Sequence, residues 1–437
     1  MDDVIIIGAG AAGLSAAARL TSAGLRVTML EARERIGGRI HTLHDSRFPN
    51  PVELGAEFVH GKPKELWEII DSRGISAVEV PPEHYMAPRS RIDPRRDMME
   101  EIESATKRLR RERDREQSIA SVLRTHRSDR TLKRVGRSLE AYVTNFHAAD
   151  LSRFSIAALL QSAEAAERVD GDRGFRLIRG YEQVVSHLAE SIEKKRFSLH
   201  LKTVVKRVAW SRGRVVIESR RGKQFRARSV LVTLPLGVLQ AGAVAFEPAL
   251  PQKQEAIARM AMGHVLHIAV DFKSRFWEEA SPEKTGASRE ELEQLSFLHA
   301  IELPVPVWWS SRPLITPVLT GWIGGLAAQE MSALGDKRII ALAAESLSRL
   351  FHLTPKKISE QISGWHFHNW SRDPFSRGAY TYTTAGGMDA AAKLAESVEK
   401  TLFFAGEATE STGHNATVHG AIMTGHRASA QIQKALG

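Results

Sequence analysis

The chain has 437 residues, 43% hydrophobic and 26% charged, the balance of a soluble globular protein with room for two or three domains. It has no cysteine, which excludes disulfides, thiolate metal sites and a cysteine nucleophile, and no metal site is expected. No apolar run is long enough for a membrane helix, and the first glycine motif, at Gly8, leaves no room for a signal peptide, so a cytoplasmic location is the expectation.

The net charge of +10 is uneven. Residues 107–137 hold twelve lysines and arginines against Glu112, Asp114, Glu116 and Asp129. Such a run can meet nucleic acid or an anionic membrane, but acids interleave with it and no nucleic-acid motif accompanies it. A solvated helical face is therefore the reading, with no nucleic-acid partner expected.

The opening stretch, "DDVIIIGAGAAGLSAAARLTSAGLRVTMLEA", carries the most information. Val4–Ile7 reads as a buried strand, Ala11–Ala23 as a helix of small residues, and Arg26–Leu30 as a second strand ending at Glu31. Gly8, Gly10 and Gly13 stand between strand and helix in G-x-G-x-x-G spacing. The first glycine permits the tight turn, the second lets a pyrophosphate approach the backbone, and the third lets helix and strand pack closely. The helix start offers free N–H groups to phosphates. Glu31 is placed to accept from ribose hydroxyls. Further on, "ARERIGGRIHT" (32–42) brings a second glycine pair, Gly37-Gly38, between Arg35 and Arg39. Leu402–Ala405 reads as a strand, Gly406-Glu407 as its turn, and Val418 onward as a helix.

With these pieces the sequence resembles the flavin-dependent amine oxidases: monoamine oxidases, polyamine oxidases and lysine-specific histone demethylases. The likeness includes the N-terminal motif, "ELGAEFVHG" (53–61), "TVVKRVAW" (203–210), "VLVTLPLGVL" (230–239), "RMAMGHVLHIAVDFKSRFW" (259–277), "NWSRDPFSRGAYTY" (369–382) and the C-terminal block. It is strongest toward the polyamine oxidase and demethylase branch. The resemblance implies an α/β fold: a Rossmann-like FAD-binding domain interleaved with an α+β substrate domain, a mixed sheet flanked by helices. The FAD-binding domain would take 1–60, 195–250 and 395–437; the substrate domain would take 61–194 and 251–394. The cofactor implied is FAD, held by Gly8, Gly10, Ala12, Gly13, Glu31, Ala32, Arg33, Gly38, Arg39, Gly55, Ala56, Glu57, Val205, Gly406, Glu407, Thr417 and Val418. Glu31, Arg33, Gly38 and Arg39 would serve the adenosine and phosphates, Val205 the adenine, and Glu407 the ribityl chain. Ala379 occupies the place of the monoamine oxidases' flavin-linking cysteine, so FAD is expected to be non-covalent.

The same resemblance nominates catalytic positions. His60 stands where polyamine oxidases put a histidine or carboxylate near flavin and amine; a turn histidine is the alternative. Glu57, three residues earlier, either attracts a cationic amine or forms a surface salt bridge. Trp370 and Tyr380 match aromatics beside the ring, where aromatic faces attract ammonium groups. Thr417 replaces one tyrosine of the monoamine oxidase cage. Trp308 and Trp309 either line the pocket or pack. His267 falls where the family has a lysine that holds a water against the flavin. On a strand, residues three apart face opposite ways, so His264 and His267 diverge. His267 is expected to face the flavin, with a satisfied core histidine as the alternative. The reaction implied is oxidation of a small amine, with hydride passing to flavin N5, an imine hydrolysing to an aldehyde, and O2 reduced to H2O2. A polyamine is the first expectation for the substrate and a monoamine the second. An amino-acid or porphyrinogen oxidase, a desaturase, or a flavoprotein scaffold remain as other readings.

Overall fold

The structure, a computed structural model, describes residues 2–437. The strand Asp2–Ile7 lies between Val27–Leu30 and Gln224–Val232, parallel to both. It belongs to an eight-stranded sheet in which Phe197–His200 flanks Val27–Leu30, and Leu402–Phe404 runs parallel to Gln224–Val232. Arg214–Ser219, Val205–Ser211 and Ala245–Glu247 extend the far side. The first two parallel strands need a crossover, and the helix Ala11–Ser22 supplies it. Val4 to Ile7 are all buried, as a strand covered on both faces must be.

Glycine decides how closely these layers approach. A Cβ on Gly13 would sit 2.1 Å from the Gly8 carbonyl oxygen, so no side chain fits between helix and turn. The last helix, Val418–Leu436, crosses the first. At that crossing a Cβ on Gly425 would lie 2.2 Å from Ser15 Oγ. Leu66, Ile69 and Ile70 of the helix Lys64–Arg73, and Val184, Val185 and Leu188 of Glu182–Glu190, join the same core. Pieces from both halves of the chain thus share one apolar layer.

A second, seven-stranded sheet runs in the order Ile362–Asn369, Val265–Phe272, Val318–Gly324, Val307–Ser310, Phe297–His299, His84–Met86, Asp93–Asp97. Its first five strands are antiparallel. The period-2 rule sorts its side chains cleanly. Leu266, Ile268, Val270 and Phe272 join Leu298, Trp308 and Ile323 in a core covered by the helix Asp336–Phe351. The opposite face carries His267, Phe297, Trp309 and Trp322, which contact one another in sequence. A small antiparallel sheet, Phe58–His60 with Gly174–Leu177 and Ala77–Glu79, stands against that aromatic face.

The basic segment is helical and largely ion-paired. Lys107 pairs with Glu103, Arg108 with Asp129, Arg110 with Glu167, Arg113 with Glu164, Arg115 with Glu112 and Arg137 with Glu302. Asp129 also caps the helix Arg130–Asn145, accepting from the Thr131 and Leu132 N–H groups. No helix among the described residues is long and apolar enough to cross a membrane, and no cluster of three metal-ligating side chains occurs there.

Candidate active site

The nucleotide end is built by backbone. Gly8 has φ +108°, open to glycine alone at no cost, and begins the turn. Gly10 is the N-cap of Ala11–Ser22, and no side chain caps that helix. Its first-turn N–H groups therefore point outward for an anion. A Cβ on Gly10 would meet only the Gly37 carbonyl oxygen, at 4.0 Å. Gly37 and Gly38, both at positive φ, bring the 36–40 loop against Gly10. This open, donor-lined space at a helix start fits a pyrophosphate. Glu31 is buried and already accepts from the Ala9 and Arg33 N–H groups, each at 2.8 Å. Segment 202–205 runs beside it, with Lys202 N–H donating to the Arg33 carbonyl and Thr203 N–H to that of Glu31. That places Val205 and Ala32 at the same end as Glu31.

Several expected cofactor contacts are engaged inside the protein. Arg33 grips Asp373 through both terminal nitrogens, at 2.7 and 2.8 Å, and lies over the Trp370 and Phe375 rings. Arg39 donates to Glu407 and to the Ala379 carbonyl, both at 2.8 Å. Glu407 also accepts from Thr381 Oγ1, the Thr381 N–H and the Ala416 N–H. Its carboxylate thus knots the 379–381 strand, Arg39 and the approach to Thr417. Thr417 caps Val418–Leu436, accepting from Gly420 N–H at 3.0 Å. Gly406 has φ +111° and leaves open space, the nearest atom to an added Cβ being Thr233 O at 3.8 Å. Gly55 and Ala56 run against the Arg39 carbonyl.

The aromatic face of the second sheet continues from this cradle. His267 is 1% exposed, and its Nε2 lies 3.3 Å from Glu57 Oε2. Glu57 is buried as well, and its ion pair is not the surface one expected: it pairs with Arg176 inside the protein, and Trp309 Nε1–H donates to the same oxygen at 3.0 Å. Burial pushes the Glu57 carboxyl up, but Arg176, His267 and Trp309 outweigh it and hold the pKa at about 2. Arg176 in turn stacks over Phe58, 4.9 Å from its centroid. His264 has no part in this; it precedes the strand and meets Ser371 Oγ at 2.9 Å. Trp308 packs in the core and Trp309 faces the site, so the tryptophan pair divides between the two readings.

His60 carries the wall outward, 6.4 Å from Phe58 and 5.6 Å from Phe146 between ring centroids. Burial lowers its pKa to about 4, so the ring is neutral at physiological pH. Tyr380 Oη donates to the Phe146 carbonyl at 2.6 Å, and Tyr142 stacks on Phe146. His60, Tyr142 and Tyr380 are only half-buried, yet their surroundings shift each strongly toward its neutral form. Phe146 brings them together at the edge of the aromatic face. Trp370 is buried, donates to the Leu54 carbonyl at 2.7 Å and lies against His368. Tyr382 is a core residue packed on Phe154. Arg176, Trp322, Phe146 and Tyr142 were not legible as site residues. Arg176 sits in "GFRL", a strand with no motif, and only its pairing with Phe58 reveals it.

A double-glycine cradle beside a wall of aromatic rings defines a flavin-dependent oxidoreductase. The chain matches the family "Flavin containing amine oxidoreductase" over residues 11–433 and belongs to it. It is an FAD-dependent amine oxidase, and with no cysteine no thioether can tether the flavin. Polyamine oxidase 4 of Oryza sativa subsp. japonica is 28% identical over 99% of this chain and 88% of its own length. Lysine-specific histone demethylase 2 of Homo sapiens is 30% identical over 98% of this chain, which spans 53% of that protein. Among solved structures, a putrescine oxidase bound to putrescine superposes with a TM-score of 0.80 at 21% identity, covering 99% of each chain. Cyclohexylamine oxidase from Brevibacterium oxydans IH-35A does so with a TM-score of 0.80 at 23% identity, again over 99% of each.

Proposed function

We propose that the chain oxidises the carbon next to an amine nitrogen, giving an imine that hydrolyses to an aldehyde, with O2 reduced to H2O2. Bound FAD supplies the hydride acceptor and passes the electrons to oxygen. The residues expected to hold it are the Gly8–Gly13 turn, Glu31, Gly38, Val205 and the Gly406–Val418 segment.

The protein's own contribution begins with the protonation state of the amine. Hydride leaves readily from a neutral amine, and neutralising an alkylamine of pKa near 10.4 at pH 7 costs about 4–5 kcal/mol. A cleft walled by Phe58, Phe146, Trp309, Trp322 and Tyr380 offsets that cost, because desolvation disfavours the cation. His60 is neutral there and can accept a hydrogen bond from the amine. His267, in place of the family's lysine, sits on the sheet face expected to meet the flavin edge.

The observation that carries the substrate reading is Glu57. A polyamine needs a carboxylate for its distal ammonium, and the buried carboxylate on this aromatic wall is committed to Arg176. The wall therefore favours a monoamine with an apolar body over a polyamine, although the similarity to polyamine oxidases supports amine chemistry in general. Anaerobic mixing with a panel of monoamines, polyamines and amino acids tests this. Rapid flavin bleaching by apolar monoamines is expected; bleaching by polyamines alone, by amino acids, or by none of them overturns it.

A further inference from the structure

Position 267, where the resemblance implies a lysine, sits in a polar arrangement of its own. His267 lies in the middle of Val265–Phe272, hydrogen-bonded into the sheet on both sides opposite Trp322 and His368. Its ring is held between the Trp309 and Trp322 indoles, with centroids 5.7 and 5.6 Å away. Both its nitrogens are buried, and neither has a hydrogen-bond partner of good geometry. Glu57 Oε2 is likewise buried and unsatisfied, 3.3 Å from Nε2. Its other oxygen is saturated by Arg176 and Trp309. Buried polar atoms left unpaired are rare and costly, so this set needs a purpose.

The carboxylate cannot rotate away, because two donors from separate elements fix Oε1: Arg176 on Gly174–Leu177 and Trp309 on Val307–Ser310. Oε2 is then aimed at one imidazole nitrogen only. An ionised carboxylate accepts and cannot donate, so the nitrogen it faces must carry the proton. In a neutral ring the other nitrogen, Nδ1, then offers its lone pair.

We propose that Glu57, clamped by Arg176 and Trp309, is a positioning residue that holds His267 as the Nε2–H tautomer and leaves Nδ1 as a bare acceptor for an O–H or N–H donor. A lysine at this position only donates. This arrangement reverses the polarity of the position, so that Nδ1 accepts from a water or from a neutral amine. The inference rests on the functional reading above only for what that donor is; the tautomer itself follows from the protein's own groups.

Long-range 1H–15N correlation spectra of the histidine side chains, recorded on the holoenzyme near neutral pH, test it. The His267 signals are identified by their loss in His267→Gln. A single Nε2–H tautomer with an unprotonated Nδ1 is expected. Glu57→Gln, whose amide can also donate, is expected to give a tautomer mixture. An Nδ1–H form or a doubly protonated ring in the wild type, or an unchanged spectrum in Glu57→Gln, overturns the proposal. If Glu57→Gln does not fold, the wild-type tautomer decides alone. Amine bleaching measured on the same sample separates the two readings. The expected tautomer without bleaching refutes the amine assignment and leaves the positioning role standing.

Discussion

Replacing Arg176 by leucine strips the buried Glu57 of its cation. The two side chains are 13% and 7% exposed, so water cannot screen or replace the pair. Breaking a buried pair from one side typically costs 3–5 kcal/mol, because a charge is left uncompensated. About 4 kcal/mol is therefore expected for Arg176→Leu at pH 7, read by urea unfolding. The sign with pH follows from the carboxyl. In the wild type its folded pKa is about 2, below the ordinary value near 4.5, so its stabilisation is present above pH 4.5 and lost as pH falls toward 2. Without Arg176, burial dominates and raises the folded pKa above 4.5; the variant then gains stability as pH falls toward that unfolded value. Adding Glu57→Gln removes the stranded charge and is expected to recover at least about 2 kcal/mol, a non-additivity that contacting residues show. Additive single and double variants, or a loss under 1 kcal/mol, would refute the idea that the pair is buried and clamped.

Two glycines separate folding from cofactor binding. Gly13→Ala drives a Cβ into the Gly8 carbonyl at 2.1 Å and is expected to lower the melting temperature by several degrees, whereas Gly10→Ala meets open space and should fold normally but bind FAD at least tenfold more weakly by fluorescence titration. Glu53 is half-buried, and desolvation raises its pKa to about 8, so it costs stability as pH rises from its unfolded value of 4.5 toward 8. Chemical denaturation should show that decline, up to about 4–5 kcal/mol, and Glu53→Gln should abolish it. His60 titrates near pH 4, so the rise of kcat/KM between pH 6 and 10 should survive in His60→Gln with its midpoint unmoved; loss of that limb would tie the titration to His60 after all.

What the sequence made legible was whatever local periodicity encodes. The G-x-G-x-x-G turn, its flanking strands and the terminal helix appear within a residue or two of their expected bounds because each is specified by neighbours along the chain. His264 and His267 do diverge, but because His264 lies before the strand Val265–Phe272 rather than through the strand's two-residue period. Pairings across long loops were not legible. Arg176 is 119 residues from Glu57, and Asp373 is 340 residues from Arg33. No spacing rule reports such partners, so a guanidinium assigned to a nucleotide on motif alone is found with its planar fork on a carboxylate. The resemblance supplied a role for position 267 but not the chemistry of a histidine there, because that chemistry is set by a carboxylate from another sheet.

The crossing of the first and last helices has a temporal consequence. The strand Leu402–Phe404 and the helix that locks onto Ala12 and Ser15 are synthesised long after the phosphate turn they complete. Until they arrive, the phosphate turn has no lid of small residues behind it, and the first sheet lacks a strand. A complete cradle for the prosthetic group therefore forms only once these segments have been made. During that interval, the nascent N-terminal layer exposes a greasy surface for chaperones to cover.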